Sequence, residues 1–254
     1  MKRIRLSWGI LAAFCVIAAT SGAVQVQAGD TSPTSVSLDA AYSSKYVWRG
    51  LVGTDDPVVQ PSLTFAGDNG VSLNLWGNLE TTDVNDNSGN FTEIDYTLDY
   101  SWETAGVGLS AGVVNYTFPN TGYDSTTEAY LAASWDGPGS PSAAIYYDLD
   151  EADGFYVNLG VGHSVPVSEV PGAPAVDFSA SLGLGSSDHN DFYYGEDKFA
   201  LVDLVLGASM DFSVGESFGV TPFVSYSRVM DSDLRDAVSD PDNFFYGVSV
   251  SFAF

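Results

Sequence analysis

Between Phe91 and Trp102, carboxylates stand at Glu93, Asp95 and Asp99, with Thr97 and Ser101 completing one face, while Ile94, Tyr96, Leu98, Tyr100 and Trp102 take the other. A strand sends alternate side chains to opposite faces, so these three acids share a side with no apolar neighbour. A dry core would exclude that face; it belongs in water or against cations. The chemistry open to it is electrostatic: drawing cations, repelling anions, or clamping the chain's few basic residues. Among those, Arg49 is the most informative, because a guanidinium can hold a carboxylate through two parallel hydrogen bonds. Its expected role is a charge at a constriction or, equally, a salt bridge fixing the first loop.

Other reactive residues are sparse. Asp188-His189-Asn190-Asp191 sets an imidazole among carboxylates, which acid–base hydrolysis would require, but a second acidic pair would have to come from Asp83 or Asp86 across a cleft. A solvated loop is the expected state of that segment. His163 has no serine partner on its face. Asp83-Val84-Asn85-Asp86-Asn87-Ser88-Gly89 imitates a calcium loop, yet its glycine falls one place late and its twelfth position is Ile94 where a glutamate is needed. No catalytic residue, metal site or cofactor is expected.

The elements that carry these residues repeat one pattern. Val176, Phe178, Ala180, Leu182 and Leu184 alternate with Asp177, Ser179, Ser181 and Gly183, and the even positions from Ala200 to Phe212 are apolar against Asp203, Gly207, Ser209 and Asp211. Twelve such segments are expected, near 35 to 51, 57 to 66, 70 to 80, 91 to 103, 105 to 118, 126 to 136, 141 to 149, 154 to 164, 174 to 185, 198 to 213, 218 to 229 and 243 to 254. Tight turns at Gly67 to Gly70, Glu103 to Gly106, Asp136 to Ser140 and Val214 to Ser217 alternate with long polar connections such as Thr81 to Asn90, Ser186 to Asp197 and Met230 to Asp242. Val165 to Pro174, with three prolines, breaks that rule as an irregular excursion. An even number of strands with short and long connections in turn is the plan of an all-β, transmembrane, antiparallel up-and-down barrel.

Both ends of the chain agree with that plan. Lys2, Arg3 and Arg5 precede an apolar stretch from Leu6 to Ala19, and Val26-Gln27-Ala28 offers a cleavage site, so residues 1–28 read as a signal peptide and 29–254 as the barrel domain. Cys15, the single cysteine, falls in the leader and follows Phe14, so neither a disulfide nor a lipid anchor is expected. The chain ends on Phe254 after alternating Phe244, Tyr246, Val248, Val250 and Phe252, which resembles the signal read by the outer-membrane barrel-assembly machinery. Eight basic residues face 33 acidic ones, and loss of the leader's three cations leaves 5 − 33 = −28. Such a chain repels nucleic acid. Beyond the leader no run of 18 apolar residues occurs, so a membrane could be crossed only by strands.

With the apolar face outward, aromatic residues fall into two rings: Phe65, Trp102, Trp135, Phe212 and Phe254 near the turn side, and Trp48, Phe155 and Tyr226 near the loop side. Tyr116 and Phe118 would join the second ring only through a bulge near Val113-Val114. The inner wall then receives Asp39, Lys45, Arg49, Asn74, Trp76, Asn78, Glu80, Glu93, Asp95, Asp99, Glu128, Tyr130, Tyr146, Asp148, Tyr156, Asn158, Asp177, Asp203 and Asp211. An open lumen of that composition would favour cations or neutral polar solutes. The competing expectation is a plugged interior, in which Lys45 and Arg49 pair with acids such as Glu80 and Glu93.

Ser43-Ser44-Lys45-Tyr46-Val47-Trp48-Arg49-Gly50-Leu51, followed by Asp55-Asp56-Pro57-Val58-Val59-Gln60, resembles the TorF family of porins: a first strand ending in aromatic-Arg-Gly, an acidic loop, a proline and a glutamine. The similarity continues loosely through Gly70 to Glu80 and Thr92 to Tyr100, and departs after Gly50, where Val52-Gly53-Thr54 replaces a polar Ser-Gln. The resemblance implies an outer-membrane barrel of porin type, a family whose substrates are poorly defined; the luminal carboxylates add the expectation of passive diffusion of small polar or cationic solutes. Its expected surroundings are outer-membrane lipid and lipopolysaccharide, the latter bridged to the acidic loops by divalent cations. Arg228, outward near the rim, could meet a lipid phosphate. A structural or adhesive barrel with working acidic loops is the alternative; an outer-membrane protease or lipase ranks below both.

Overall fold

The computed structural model describes residues 34–169, 174–215 and 217–254. The expected leader and its cleavage site lie outside those residues, as do Pro171 and part of the Val165 to Pro174 excursion.

Alternation builds the wall. The strands are β1 (Thr34–Ser43), β2 (Tyr46–Trp48), β3 (Leu51–Thr54), β4 (Val58–Gly67), β5 (Val71–Glu80), β6 (Phe91–Thr104), β7 (Val107–Thr117), β8 (Thr126–Trp135), β9 (Ser142–Asp148), β10 (Phe155–Pro166), β11 (Ala175–Gly185), β12 (Ala200–Met210), β13 (Phe212–Val214), β14 (Phe218–Val229) and β15 (Asp242–Ala253). Two helices interrupt them, α1 (Ser187–Tyr194) and α2 (Ser232–Ala237). Thirteen strands form one sheet, in which β12 and β13 both pair with β14 and are separated only by Asp211, so the wall has 13 − 1 = 12 strands. Every pairing is antiparallel and β1 joins β15, which closes the ring. Closure leaves no unpaired edge, the condition for crossing a bilayer with strands.

In β6, Glu93, Asp95, Thr97 and Asp99 are buried while Tyr96, Leu98, Tyr100 and Trp102 are exposed; in β15, Phe244, Tyr246, Val248, Val250 and Phe252 are exposed. The apolar side chains therefore face outward and the polar ones inward, the inverse of a water-soluble protein. Phe65, Trp102, Trp135, Phe212 and Phe254 are exposed on the outer surface. Phe254 donates its backbone N–H to the Val36 carbonyl (2.9 Å) and sets its ring against Phe252, so the last residue is stitched to the first wall strand.

Three expectations are corrected and one condition is decided. The first strand does not run to residue 51; it ends at Ser43, and residues 46–54 form the separate two-stranded hairpin β2–β3, paired Trp48 to Leu51 across Arg49-Gly50. Both tip residues have positive φ, 46° and 84°, the conformation of a two-residue hairpin turn whose twist matches its strands. Trp48, carried on that hairpin, is not part of a lipid-facing ring. Second, the condition for Tyr116 to join the outer ring is not met: β7 pairs with β6 and β8 without a bulge, and Tyr116 faces inward. Third, β11 and β12 do contain one: Leu182 pairs with Leu204 but Leu184 with Leu201, so Val202 and Asp203 both oppose Gly183 and both are buried. The extra residue inverts parity, turning Ala200 and Val202 inward and Leu201 outward. Fourth, the long connections after β11 and β14 are not purely extended loops. Ser186 caps α1 through His189 N, Asp231 caps α2, and Leu234 of α2 is fully buried.

Candidate functional site: a clasped hairpin inside the barrel

The hairpin enters the barrel from the loop side. Val47 packs against Phe223 of β14 and Phe245 of β15. At the tip, Arg49 reaches Glu128 of β8, Nη1 to Oε1 at 2.6 Å and Nη2 to Oε2 at 2.7 Å. In the ring order β1 and β9 are six strands apart on either side, so a hairpin that leaves β1 and touches β8 to β10 spans the full width of the lumen.

The tip is enclosed by aromatic rings. The Arg49 Cζ lies 4.2 Å from the Tyr156 ring centre, 4.3 Å from Trp48 and 5.0 Å from Tyr146. Guanidinium over a ring face gains cation–π attraction that grows when water is excluded, and Arg49 is 3 % exposed. Tyrosine–carboxylate pairs hold the wall side: Tyr116 donates to Glu128 Oε2 (2.9 Å), Tyr130 to Asp99 (2.5 Å) and Tyr156 to Asp203 (2.8 Å). The last pair lies over Gly183, where a Cβ would meet Asp203 Oδ1 and the Tyr156 hydroxyl, so glycine there gives room for the contact.

Polar clasps fix the rest of the hairpin. Lys45 pairs with Asp55 and donates to Asn243 (3.1 Å), Thr54 donates to Glu80 (2.7 Å), Tyr46 hydrogen-bonds Glu93, and Asn85 donates to the Gly53 carbonyl (3.2 Å). From above, the Tyr194 hydroxyl of α1 donates to the Arg49 carbonyl (2.6 Å) and Tyr193 meets Trp48 edge-on at 5.1 Å. Val114, Tyr116, Tyr130, Tyr146, Tyr156, Tyr194, Val202, Val229 and Leu234 belong to one buried cluster. The loop-side half of the lumen is thus a packed core.

His189 shows how dry that half is. Its ring stacks on Tyr156 at 5.4 Å and tilts against Tyr193 at 4.8 Å, Nδ1 meets Asn190 Oδ1 at 3.0 Å, and Nε2 is buried with no hydrogen-bond partner. Burial first, and the Arg49 charge second, push its pKa down to about 3. The segment is therefore not the solvated loop expected from Asp188-His189-Asn190-Asp191; its imidazole is a neutral packing element. Burial likewise raises the Tyr194 phenol.

The turn-side half differs. Asp39, Asn74, Trp76, Asp177 and Asp211 face inward but keep partial exposure, among the small residues Ser62, Thr64, Ser179, Ser181, Gly207 and Ser251. Asp99, Glu128, Asp148, Asn158 and Asp203, with Asn78, Glu80, Glu93 and Asp95, line the buried zone between. All five basic residues of the described chain are paired with acids on the loop side: Lys45 with Asp55, Arg49 with Glu128, Lys198 with Asp231 and Asp233, Arg228 and Arg235 with Asp242. None reaches the turn-side vestibule, whose charges are all negative. Arg228 is exposed on the outward face while bonded to Asp242 at 3.2 Å. Among the described residues no group of three or more metal-ligating side chains comes together.

The alternation that points these acids inward does not reveal the partner of Arg49 or the roles of Trp48, Tyr193 and Tyr194. One signal was present: a 17-residue first strand exceeds the 9–11 that a tilted crossing needs, and Arg49-Gly50 splits the surplus as a two-residue turn would.

A closed twelve-stranded antiparallel wall, apolar outside and polar within, defines a transmembrane β-barrel. The chain belongs to the Gcw_chp family, described as a bacterial protein of unknown function, whose family model matches residues 27–226. No curated protein matches it. Among solved structures it is similar to the KdgM porin (TM-score 0.52, 11% identity, 86% of this chain and 99% of that one). It is also similar to the NanC porin (0.48, 14%, 85% and 98%) and to an outer membrane channel from Pseudomonas putida F1 (0.48, 11%, 91% and 98%). The first of these likenesses supports the barrel fold.

Proposed function

We propose that the protein is a porin-like outer-membrane channel for passive diffusion of small polar or cationic solutes. The observation that carries this reading is the interior charge: carboxylates line the barrel from the turn side inward, and every cation of the described chain is already neutralised. A lumen of one sign raises the local concentration of counter-ions and excludes co-ions. The TorF resemblance of residues 43–60 supports the same reading. The turn side would face the periplasm and the acidic loops the exterior, where divalent cations would bridge them to lipopolysaccharide phosphates. Residues 1–28 would direct export, and the strand ending at Phe254 would engage the assembly machinery. No residue is catalytic in this reading.

The Arg49–Glu128 clasp and its aromatic surround narrow the lumen, so conduction is greatest when the hairpin leaves it. That same narrowing favours a second reading, a structural or adhesive barrel whose acidic loops are the working part. Planar-bilayer recording with the purified protein separates the two. The channel reading expects discrete steps with cation preference; absence of steps would remove it, and anion preference would remove the selectivity.

A further inference from the structure

The wall that receives Arg49 is held together by contacts that do not involve the hairpin. Tyr116, Glu128, Tyr146 and Tyr156 come from the consecutive strands β7, β8, β9 and β10, and ladder pairing places Tyr146 directly opposite Tyr156. Tyr116 orients the Glu128 carboxylate and Asp203 orients Tyr156, neither through the hairpin. The Glu128 carboxylate offers two acceptor oxygens, with the Tyr146 and Tyr156 ring faces beside the group it holds. That geometry fits a planar fork of N–H donors and is poorly matched to a spherical ammonium.

We infer that the Glu128–Tyr116–Tyr146–Tyr156 cradle is a binding site for guanidinium-bearing solutes, occupied in the closed barrel by the protein's own Arg49. This rests on the channel reading and names its solute class. A solute carrying the same group makes the same two hydrogen bonds and ring contacts, so it competes with Arg49 and frees the hairpin. One feature favours exchange: an incoming guanidinium restores the two hydrogen bonds at Glu128, so no charge is left stranded in the cradle when Arg49 leaves it. The acidic vestibule supplies the approach, concentrating cations below the plug.

The experiment compares methylguanidinium with methylammonium at equal ionic strength, using the protein in detergent for calorimetric binding and in bilayers for current. Arg49→Ala empties the cradle and is expected to bind methylguanidinium saturably, at least tenfold tighter than methylammonium. Arg49→Ala/Glu128→Gln loses that binding at least tenfold. In the unsubstituted channel, methylguanidinium raises the open fraction and methylammonium does not. Should Arg49→Ala fail to show the heat-dependent gel shift of a folded barrel, Arg49→Lys serves in its place, because it keeps the charge without the fork and is displaced more easily than arginine. Equal binding of the two cations, or equal binding with and without Glu128, overturns the inference. Cradle binding without any single-channel steps ends the channel reading alone; steps without cradle binding end this inference alone.

Discussion

Arg49 and Glu128, 79 residues apart in the chain, meet across the barrel through two parallel hydrogen bonds of 2.6 and 2.7 Å, each side chain almost fully buried. The pair joins a loop to the opposite wall and so holds the hairpin across the lumen. Its energetics are asymmetric, because removing one partner strands the other charge in a dry surround.

Glu128→Ala should therefore destabilise the protein by about 3–5 kcal/mol, and the double change Arg49→Met/Glu128→Leu by much less, since no charge is left stranded. Urea unfolding followed by gel mobility reads both. Equal losses in the single and double variants would show that the pair is not the clasp.

Replacing residues 45–56 by a short turn removes the hairpin while leaving every wall strand intact. Single-channel conductance should rise several-fold, with the barrel still heat-modifiable. An unchanged conductance would mean that something other than the hairpin sets the constriction.

Gly50 has φ 84°, and a Cβ there would come to 3.0 Å from both the Tyr194 hydroxyl and Val229 Cγ2. Gly50→Ala should cost on the order of 1–3 kcal/mol and loosen the hairpin locally. Faster hydrogen exchange at residues 46–54, without change in the wall strands, is the expected signature.

His189 contributes a pH dependence of definite sign. Its pKa is near 6.5 when unfolded and is lowered to about 3 in the fold. The unfolded state thus binds the proton more readily, and the stabilisation from the neutral ring is complete above pH 6.5 and is lost as pH falls from there toward 3. The full swing is on the order of a few kcal/mol. His189→Phe keeps the stack on Tyr156 and Tyr193 and should flatten the difference in unfolding midpoint between pH 7 and pH 4. A variant as acid-sensitive as the parent would rule the imidazole out as the source.

Removal of Phe254 deletes the hydrogen bond to Val36 and the ring contact with Phe252. Assembly into outer-membrane vesicles should slow, while barrel refolded in detergent loses little stability. Unaltered assembly kinetics would separate the last residue from recognition by the assembly machinery.

The wall was legible from residue order alone, because strand alternation is set locally by the pleat and needs no knowledge of distant partners. Glu93, Asp95 and Asp99 turn inward for that reason, and Tyr96, Leu98 and Trp102 turn outward. Twelve segments with alternating short and long connections followed from the same period. What local pattern could not decide was anything that departs from it or closes over a long separation. The bulge at Val202-Asp203 inverts parity through the register shift between Leu182–Leu204 and Leu184–Leu201, which only strand pairing reveals. The hairpin turns inward at Ser44 because its tip finds Glu128, Tyr146 and Tyr156, which neighbour one another only after β7 to β10 have paired. His189 changes from a solvated loop residue to a neutral buried ring because α1 folds onto that same tip. Composition and period made this chain a barrel with its polar face inward; ring closure, which brings residue 49 to residue 128, decided that a hairpin crosses that interior.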